Sequence, residues 1–344
     1  MNLTEAMALA TELSNEVRGL TSPNPPVGCV ILDDRGQVVG TGATSPPGGP
    51  HAEIRALAAA GERARGGTAV TTLEPCNHTG RTGPCSHALV DAGLARVHFA
   101  AADPTALAAG GAQALRAAGV MVSSTATEPD PLQAWLHRQR TGRSRFTCKL
   151  AASLDGRAAA ADGTSQWITG AQARAHAHTE RANVDAIVVG TGTVLADDPW
   201  LTARRPDGSL ADHQPMRVVM GTRAIPSTAK VLDDAARTLV LPTRDLGELV
   251  DALADYPDVL IEGGPTLAGA VAAAGLIDRI VAYVAPVLLG AGRAALGAAG
   301  VGTIAEALRF EVETVQRIGT DVLIIASPVA SPVTSPVAGP AERM

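Results

Sequence analysis

The segment TAVTTLEPCNHTGRTGPC (residues 68–85) decides the fold of the first half of this chain. Its first six residues are rich in β-branched and apolar side chains, which predicts a strand over 68–73. Cys76 follows the end of that strand, and Cys85 follows a Thr-Gly-Pro turn at the start of a predicted helix. Upstream, the motif HAE (residues 51–53) opens another predicted helix. One His and two Cys, each at an element boundary, make the ligand set of a catalytic zinc site.

The chemistry that this pattern predicts is hydrolytic deamination at one zinc ion held by His51, Cys76 and Cys85. Three protein ligands leave the fourth position for a water molecule, whose pKa zinc lowers toward about 7. Glu53 is not a ligand, so it is the candidate to carry protons to the ring nitrogen and the leaving amine. Because residues two apart on a regular helix point about 200° apart, we predict that His51 lies outside the regular part of the helix.

Each of these features also has a plainer interpretation. A His-x-Glu pair is usually only a helix start, and two Cys nine residues apart are more often unrelated core residues. Their occurrence together, in this order and at element boundaries, favours the metal site. Generic deaminases have two residues between the cysteines, whereas eight separate Cys76 from Cys85.

Three stretches resemble the riboflavin-pathway deaminases, which carry this long inter-cysteine loop: PNPPVGCV (23–30), HAE (51–53) and EPCNHTGRTGPC (74–85). The resemblance implies a cytidine-deaminase-like three-layer α/β/α domain. It implies substrate contacts at Asn24, His78 and Arg81, with Arg81 contacting phosphate or ribose. Thr44 departs from the family, which usually has a His at this position.

The periodicity of the first half alternates between helix and strand. Predicted helices cover 2–18, 51–60, 105–118 and 130–143, with another beginning at 85, and predicted strands cover 27–32, 37–42, 68–73, 96–101 and 120–123. This alternation predicts a sheet covered by helices on both faces.

A second alternating α/β series begins near residue 146. Its predicted strands lie near 185–190, 217–220, 259–262 and 279–285, and two closing strands near 311–317 and 322–326 look antiparallel. We therefore predict domains at 1–143 and 144–327, followed by a disordered Pro/Ser-rich tail at 328–344.

The length of 344 residues predicts two domains, and the composition, with 46% hydrophobic and 18% charged residues, is that of a globular protein. Only 2% are aromatic, so the cores must be built from Ala, Val, Leu and Ile. A formal net charge of −6 and the lack of a long basic run argue against nucleic acid as a partner.

The sequence also lacks the marks of export or membrane insertion. No apolar run reaches the roughly 18 to 20 residues that span a bilayer, and the N-terminus lacks the basic and apolar parts of a signal peptide. We therefore expect a cytoplasmic protein without a membrane partner. In that compartment Cys29 and Cys148 should simply pack in the core. The sequence leaves a homo-oligomer open.

Two glycine-rich turns in the second half are weak signals for a cofactor. GTGT (190–193) and EGGPTLAG (262–269) each join a strand to a helix, where backbone N–H groups can bind phosphate. Such turns are more often only tight turns, and neither has the dinucleotide fingerprint of a Rossmann unit.

Longer stretches resemble the reductase domain of the same bifunctional family, which has a dihydrofolate-reductase-like α/β fold: KLAASLDGR (149–157), SQWITG (165–170) and GTVLADDPWLT (192–202). The resemblance implies NADPH contacts at Ala151, Trp167, Thr193, Asp197, Gly264, Pro265, Thr266, Leu267, Ala268, Gly269 and Ala270. It implies substrate contacts at Ser165, Leu201, Arg204 and Glu262.

Lys149 and Asp197 are the candidates for the charge and proton that the reduction needs. Relatives usually have Asp-Ser where this chain has Gly221 and Thr222. Arg223 and Lys230, two cations after a strand, are candidates for the extra phosphate of NADPH or are solvated surface charges.

The resemblance implies two successive reactions on a small phosphorylated pyrimidine. The first removes an amine from 2,5-diamino-6-ribosylamino-4(3H)-pyrimidinone 5′-phosphate. The second transfers hydride from NADPH to the ribose of 5-amino-6-(5-phosphoribosylamino)uracil, which leaves a ribityl chain. The alternatives are a base deaminase acting on RNA and a catalytically inactive nucleotide-sensing or scaffold protein. The acidic balance and the presence of the second domain argue against the first alternative. The intact zinc motif argues against the second alternative for the first domain only, and an inactive second domain stays open.

Overall fold

A computed structural model of the chain describes residues 1–78 and 83–329. By its internal contacts the chain divides into two compact units. Unit 1 combines Met1–Phe146 with Arg174–Gly264, and unit 2 combines Thr147–Ala173 with the residues from Pro265 onward. None of the helices in the described ranges has the length and apolar character that crossing a bilayer requires.

The first half of the chain alternates helices with the strands of one sheet. Its elements are α1 (Leu3–Glu16), β1 (Gly28–Leu32), β2 (Val38–Ala43), α2 (Ala52–Ala60), β3 (Thr68–Leu73), α3 (Cys85–Asp91), β4 (Arg96–Ala101), α4 (Gly111–Ala117), β5 (Met121–Ser124) and α5 (Gln133–Thr141). The sheet has the order β2-β1-β3-β4-β5. Strand β1 is antiparallel to β2 and β3, whereas β3, β4 and β5 run parallel.

The sheet has an apolar core on each face, as the alternating pattern predicted. On one face Val30, Leu32 and Val70 pack with Ala6 and Ala10 of α1. The residues between them point to the other face, because successive side chains of a strand alternate. There Cys29, Ile31, Ala69 and Leu73 join Ala52, Ala56 and Ala60 of α2. This three-layer arrangement confirms the predicted fold of the first domain.

Small residues let the helices approach the sheet closely. A Cβ atom at Gly28 would lie 1.9 Å from the carbonyl oxygen of Ala10 in α1. A Cβ at Gly42 would lie 2.4 Å from the carbonyl oxygen of Ala52 in α2. The chain has few aromatic side chains, and its helices accordingly pack so close to the strands that their main-chain atoms are near contact.

The second half continues the alternation. Its elements are β6 (Arg145–Ser153), α6 (Ala171–Ala182), β7 (Ala186–Gly190), α7 (Thr191–Asp197), β8 (Met216–Met220), β9 (Thr238–Leu241), α8 (Leu246–Ala252), β10 (Asp258–Ile261), α9 (Pro265–Ala273), β11 (Arg279–Ala285), β12 (Phe310–Ile318) and β13 (Asp321–Pro328). In unit 1 the parallel strands have the order β10-β7-β8-β9. In unit 2 the order is β12-β13-β11-β6, and the closing pair β12 and β13 is antiparallel as predicted.

Three details differ from the sequence-based elements. Strand β9 was not predicted, and β13 includes Pro328, which the prediction gave to the tail. The helix predicted over 105–118 is wrong in its first turns, since α4 begins at Gly111. Asp103 accepts hydrogen bonds from the N–H and hydroxyl of Thr105, and Gly110 has a φ of +94°, so a turn precedes the helix. The predicted tail from 330 onward lies outside the described residues.

Candidate active sites

The three predicted zinc ligands converge. His51 Nδ1 lies 3.6 Å from Cys76 Sγ and 3.3 Å from Cys85 Sγ. The three ligand atoms all lie within 4.8 Å of one another. Zinc bonds of about 2.1 Å to nitrogen and 2.3 Å to sulfur place tetrahedral ligand atoms roughly 3.6 to 3.8 Å apart. The donor set and its spacing therefore fit one zinc ion with an open fourth position.

Each ligand is positioned by the end of a helix or a strand. His51 is the N-cap of α2 and has extended backbone, with φ −70° and ψ 163°, which confirms that it lies outside the regular helix. Cys76 follows β3, and Cys85 is the first residue of α3. The Cys85 N–H donates to Cys76 Sγ at 3.4 Å. Hydrogen bonds from Cys85 and His51 lower the pKa of Cys76 to about 4, so its thiolate is ready for metal.

Glu53 lies beside these ligands and is 4% exposed. Burial raises the pKa of Glu53 to about 7. A carboxyl group with a pKa near neutrality can both accept and release a proton, as a general acid–base group must. Sequence position alone suggested this role, and the structure adds the buried environment that suits it.

The segment that carries Cys76 is held by residues that the sequence analysis did not single out. The buried carboxylate of Glu74 accepts hydrogen bonds from Ala112 N at 2.9 Å and Asp103 N at 3.4 Å. Asn77 N donates to Ala108 O at 3.0 Å, in the turn that replaces the first part of the predicted helix. Glu74 directly precedes the Pro-Cys pair, and that adjacency was the one signal that could have drawn attention to it.

The predicted substrate contacts of this site differ in what the structure shows of them. Asn24 lies in the segment between α1 and β1, and Arg81 falls outside the described residues. His78 has a buried Nδ1 atom without a hydrogen-bond partner among the described residues, so a ligand could use it. The hydroxyl of Thr44 accepts a hydrogen bond from Val27 N at 3.0 Å, which gives this departure from the family a structural role.

In the second half, unit 1 holds several predicted contacts of the reductase. Glu262 follows β10, and both of its carboxylate oxygens accept hydrogen bonds from Arg181, at 2.8 and 2.7 Å. Thr193 Oγ1, in α7, accepts from Gly264 N at 3.2 Å, so the two glycine-rich turns meet. Asp197 is the exposed last residue of α7.

Leu201 and Arg204 lie in the loop after α7. Leu201 is 3% exposed and has a φ of +55°. This left-handed conformation costs a bulky residue roughly 1 to 3 kcal/mol and is typical of ligand sites. The Arg204 guanidinium lies 5.5 Å from the centre of the Trp200 ring.

Unit 2 holds the remaining predicted contacts. Lys149 and Ala151 lie on β6, in register with Val281 and Tyr283 of β11. Ser165 is half-buried and Trp167 is 69% exposed. The stretch 265–270 forms the first turns of α9, where a Cβ at Gly269 would already lie 2.6 Å from Ala298 O.

The departure at Gly221 has a steric reason. Gly221 has a φ of +137°, and a Cβ atom there would lie 2.5 Å from the Thr191 hydroxyl. Of the two cations considered for the extra phosphate, Lys230 Nζ lies 3.5 Å from Asp198 and 4.3 Å from the Trp200 ring centre. Arg223 is close to the glycine-rich turn, because its guanidinium would lie 2.6 Å from a Cβ at Gly192.

Comparisons with known proteins identify the family of each half of the chain. Residues 1–101 match the family model of the cytidine and deoxycytidylate deaminase zinc-binding region, and residues 145–324 match that of the RibD C-terminal domain. The riboflavin biosynthesis protein RibD of Mycobacterium tuberculosis is 53% identical over 327 residues, covering 94% of this chain and 96% of that protein. RibD of Escherichia coli is 40% identical, covering 92% and 97%.

Solved structures of such proteins are similar over nearly the whole chain. A diaminohydroxyphosphoribosylaminopyrimidine deaminase/5-amino-6-(5-phosphoribosylamino)uracil reductase from Thermotoga maritima gives a TM-score of 0.86 at 28% identity, covering 95% of this chain and 99% of that one. RibD of Acinetobacter baumannii gives 0.82 at 38% identity, covering 95% and 100%. The chain therefore belongs to the RibD family of riboflavin biosynthesis enzymes and combines a zinc-dependent deaminase with an NADPH-dependent reductase.

Proposed function

We propose that the deaminase acts on 2,5-diamino-6-ribosylamino-4(3H)-pyrimidinone 5′-phosphate and that the reductase acts on its product, 5-amino-6-(5-phosphoribosylamino)uracil. The convergence of His51, Cys76 and Cys85 beside the buried carboxyl of Glu53 carries the first part. The similar Thermotoga maritima protein, whose name states both activities, supports the substrate pair.

In the deamination, we propose that Glu53 moves the protons. Bound zinc supplies a hydroxide ion at neutral pH. Glu53 accepts the first proton as the water attacks the ring carbon and passes it to the ring nitrogen. It then accepts a second proton from the new hydroxyl group and gives it to the amine, which departs as ammonia while a carbonyl forms. Asn24, His78 and Arg81 bind the substrate, with Arg81 at phosphate or ribose.

In the reduction, we propose that Lys149 and Asp197 supply the charge and the proton that the step needs. NADPH supplies a hydride to the first carbon of the ribose once the sugar ring has opened to an imine. Ser165, Leu201, Arg204 and Glu262 contact the substrate. The proposed NADPH contacts are Ala151, Trp167, Thr193, Asp197 and residues 264–270.

We propose that the deaminase domain covers 1–143 and the reductase domain 144–327. A cytoplasmic location is proposed because none of the four Cys is in a disulfide, as a reducing compartment favours. Self-association stays a prediction that light scattering of the purified protein would test.

Two assays on the purified full-length protein test the proposal. Ammonia release from the diamino substrate measures the first site, and NADPH oxidation with the deaminated intermediate measures the second. Free pyrimidine nucleotide and tRNA are the competing substrates. Ammonia release from tRNA at a comparable rate, or no NADPH oxidation with the intermediate, would contradict it.

A further inference from the structure

The segment between α1 and β1 carries Asn24, the proposed substrate contact of the deaminase. The end of this segment is held within the first half, because the Ser14 hydroxyl donates a hydrogen bond to Pro26 O. Inside the segment, Asn24 N donates to Thr21 O at 2.9 Å, and Thr21 Oγ1 donates to Asn24 O at 3.0 Å. The Asn24 main chain thus belongs to a closed turn, whose position depends on what holds Thr21 and Ser22.

The second half of the sequence supplies a fixed point for this turn. Ser22 Oγ donates to Oδ1 of Asp185 at 2.5 Å. Asp185 lies just before β7, is 7% exposed, and accepts a second hydrogen bond at Oδ2 from Asp258 N, at 2.8 Å. Both oxygens of this buried carboxylate therefore have protein donors, which fixes the position of the Ser22 hydroxyl.

A buried ion pair joins the start of the same segment to the beginning of the neighbouring strand, β10. Arg18 follows α1, and its guanidinium donates to Asp258 at 3.1 Å and to Asp130 at 2.7 Å. The side chains of Arg18 and Asp258 are 10% and 9% exposed. Asn24 and Asp185 line one cleft at this junction. The turn therefore lies against residues that begin β7 and β10.

We infer that Asp185 is a positioning residue for deamination, which acts through Ser22 on the turn that carries Asn24. The inference rests on the proposed role of Asn24 as a substrate contact. The zinc ligands and Glu53 lie on other elements, so a displaced turn should weaken substrate binding rather than the chemical step. On this view the first half of the chain needs the second half to complete its substrate site.

The test is Ser22→Ala in the full-length, zinc-loaded protein. A hydrogen bond to a charged acceptor is worth roughly a factor of ten in an equilibrium. We expect KM for the diamino substrate to rise about tenfold and kcat to stay within about twofold of wild type. Zinc content and NADPH oxidation with the deaminated intermediate should not change. Ser22→Thr keeps the hydroxyl and should restore most of the loss in KM.

The matched control is Ser144→Ala. The Ser144 hydroxyl is fully buried and donates to Leu253 O at 2.8 Å, so it also joins the two halves of the sequence, but it is not on the Asn24 segment. We expect a normal KM in this variant. An unchanged KM in Ser22→Ala, an equal rise in Ser144→Ala, or a parallel loss of both activities and of zinc in Ser22→Ala would overturn the inference.

Asn24→Ala separates this inference from the proposed substrate contact. A raised KM in Asn24→Ala together with a normal KM in Ser22→Ala would overturn the positioning role alone. An unchanged KM in Asn24→Ala would instead remove the substrate contact on which the inference rests. Asp185→Ala, which leaves the Ser22 hydroxyl without this partner, should raise KM in the same direction as Ser22→Ala.

Discussion

The guanidinium of Arg181 holds the carboxylate of Glu262 by two hydrogen bonds, from Nε to Oε1 at 2.8 Å and from Nη2 to Oε2 at 2.7 Å. Arg181 also donates from Nη1 to Thr202 O at 3.1 Å, beside Leu201. One cation therefore holds both the proposed substrate-binding Glu262 and the main chain of the residue that follows Leu201. The forked geometry of Arg suits this arrangement, since a Lys cannot make both bonds to the carboxylate.

Arg181→Met should abolish reduction and spare deamination. The Glu262 side chain is only 5% exposed, and removing one partner of a buried ion pair costs roughly 3 kcal/mol or more. NADPH oxidation with the deaminated intermediate should fall strongly, and Arg181→Lys should recover part of it. Arg205→Met, which breaks an exposed pair with Asp212, is the control and should leave both activities near wild type. Normal NADPH oxidation in Arg181→Met would show that the reduction does not need Arg181 to orient Glu262.

Cys76→Ser should lose zinc and deamination together. The serine hydroxyl is a poorer zinc ligand than a thiolate, and His51 and Cys85 alone leave the site with two protein ligands. Metal analysis of the purified variant is the measurement, with about one zinc per chain expected for wild type. Cys29→Ser, at a buried Cys that is not a proposed ligand, should keep its zinc. Full zinc occupancy in Cys76→Ser would exclude Cys76 from the site.

Glu53→Gln should keep zinc and lose deamination. The substitution preserves size but removes the acid–base group, a loss of about 100- to 10,000-fold in rate. Reduction of the supplied intermediate should continue normally, because Glu53 is not among the proposed reductase contacts. Asp197→Asn should show the reverse, with normal ammonia release and poor NADPH oxidation. Loss of reduction in Glu53→Gln would mean that the two sites are coupled.

The stability of the protein should respond to the titration of Asp185. Burial raises the pKa of Asp185 from 3.8 to about 6, although the hydrogen bonds from Ser22 and from Asp258 N oppose this rise. The folded chain then binds more protons than the unfolded chain between pH 4 and 6. The stabilisation is full below pH 4 and is lost as the pH rises through 6, by at most roughly 3 kcal/mol.

Asp185→Asn removes this titration. The free energy of unfolding of the variant minus that of wild type at the same pH should therefore become more positive as the pH rises from 4 to 7, because only wild type loses stability over this range. Denaturant unfolding at several pH values measures this difference. A difference that stays constant over this range would show that the carboxyl group does not titrate there.

Removal of the residues after Val329 should leave both activities near wild type. The removed segment, 330–344, is rich in Pro and Ser and has few large apolar residues from which a packed core could form. The cut belongs after Val329 because β13 extends to Pro328, which pairs with Phe310. Steady-state kinetics of both reactions are the measurement. A lower rate in either would show that the segment takes part in that site.

Local patterns predicted most elements of the first half, because side-chain periodicity is a short-range property. Strands β3 and β4 have the predicted bounds, and His51 is at the helix start as expected. The helix at 105–118 failed because its apolar residues suit a helix, whereas Gly110 and the Asp103 side chain stabilise a turn.

Partners that are distant in sequence could not be predicted. Ser22 and Asp185 are 163 residues apart, and Arg181 and Glu262 are 81 apart. No periodicity relates such positions, since only the folded sheet brings the strand ends together. The resemblance implied a role for Glu262 and was silent on Arg181. The zinc ligands were predictable because metal chemistry restricts the residue types, which is not true of a hydrogen bond between ordinary polar side chains.

The spacing of the zinc ligands has a consequence for assembly. His51 and Cys76 are 25 residues apart and Cys76 and Cys85 are nine apart, so zinc cross-links three separate elements by closing two loops. Bringing these side chains together in an unfolded chain costs the conformational entropy of both loops. The free energy of metal binding is therefore part of the free energy of folding. We therefore expect zinc to bind after α2 and α3 have packed around the end of β3. The rate of zinc uptake during refolding would then report when this packing is complete.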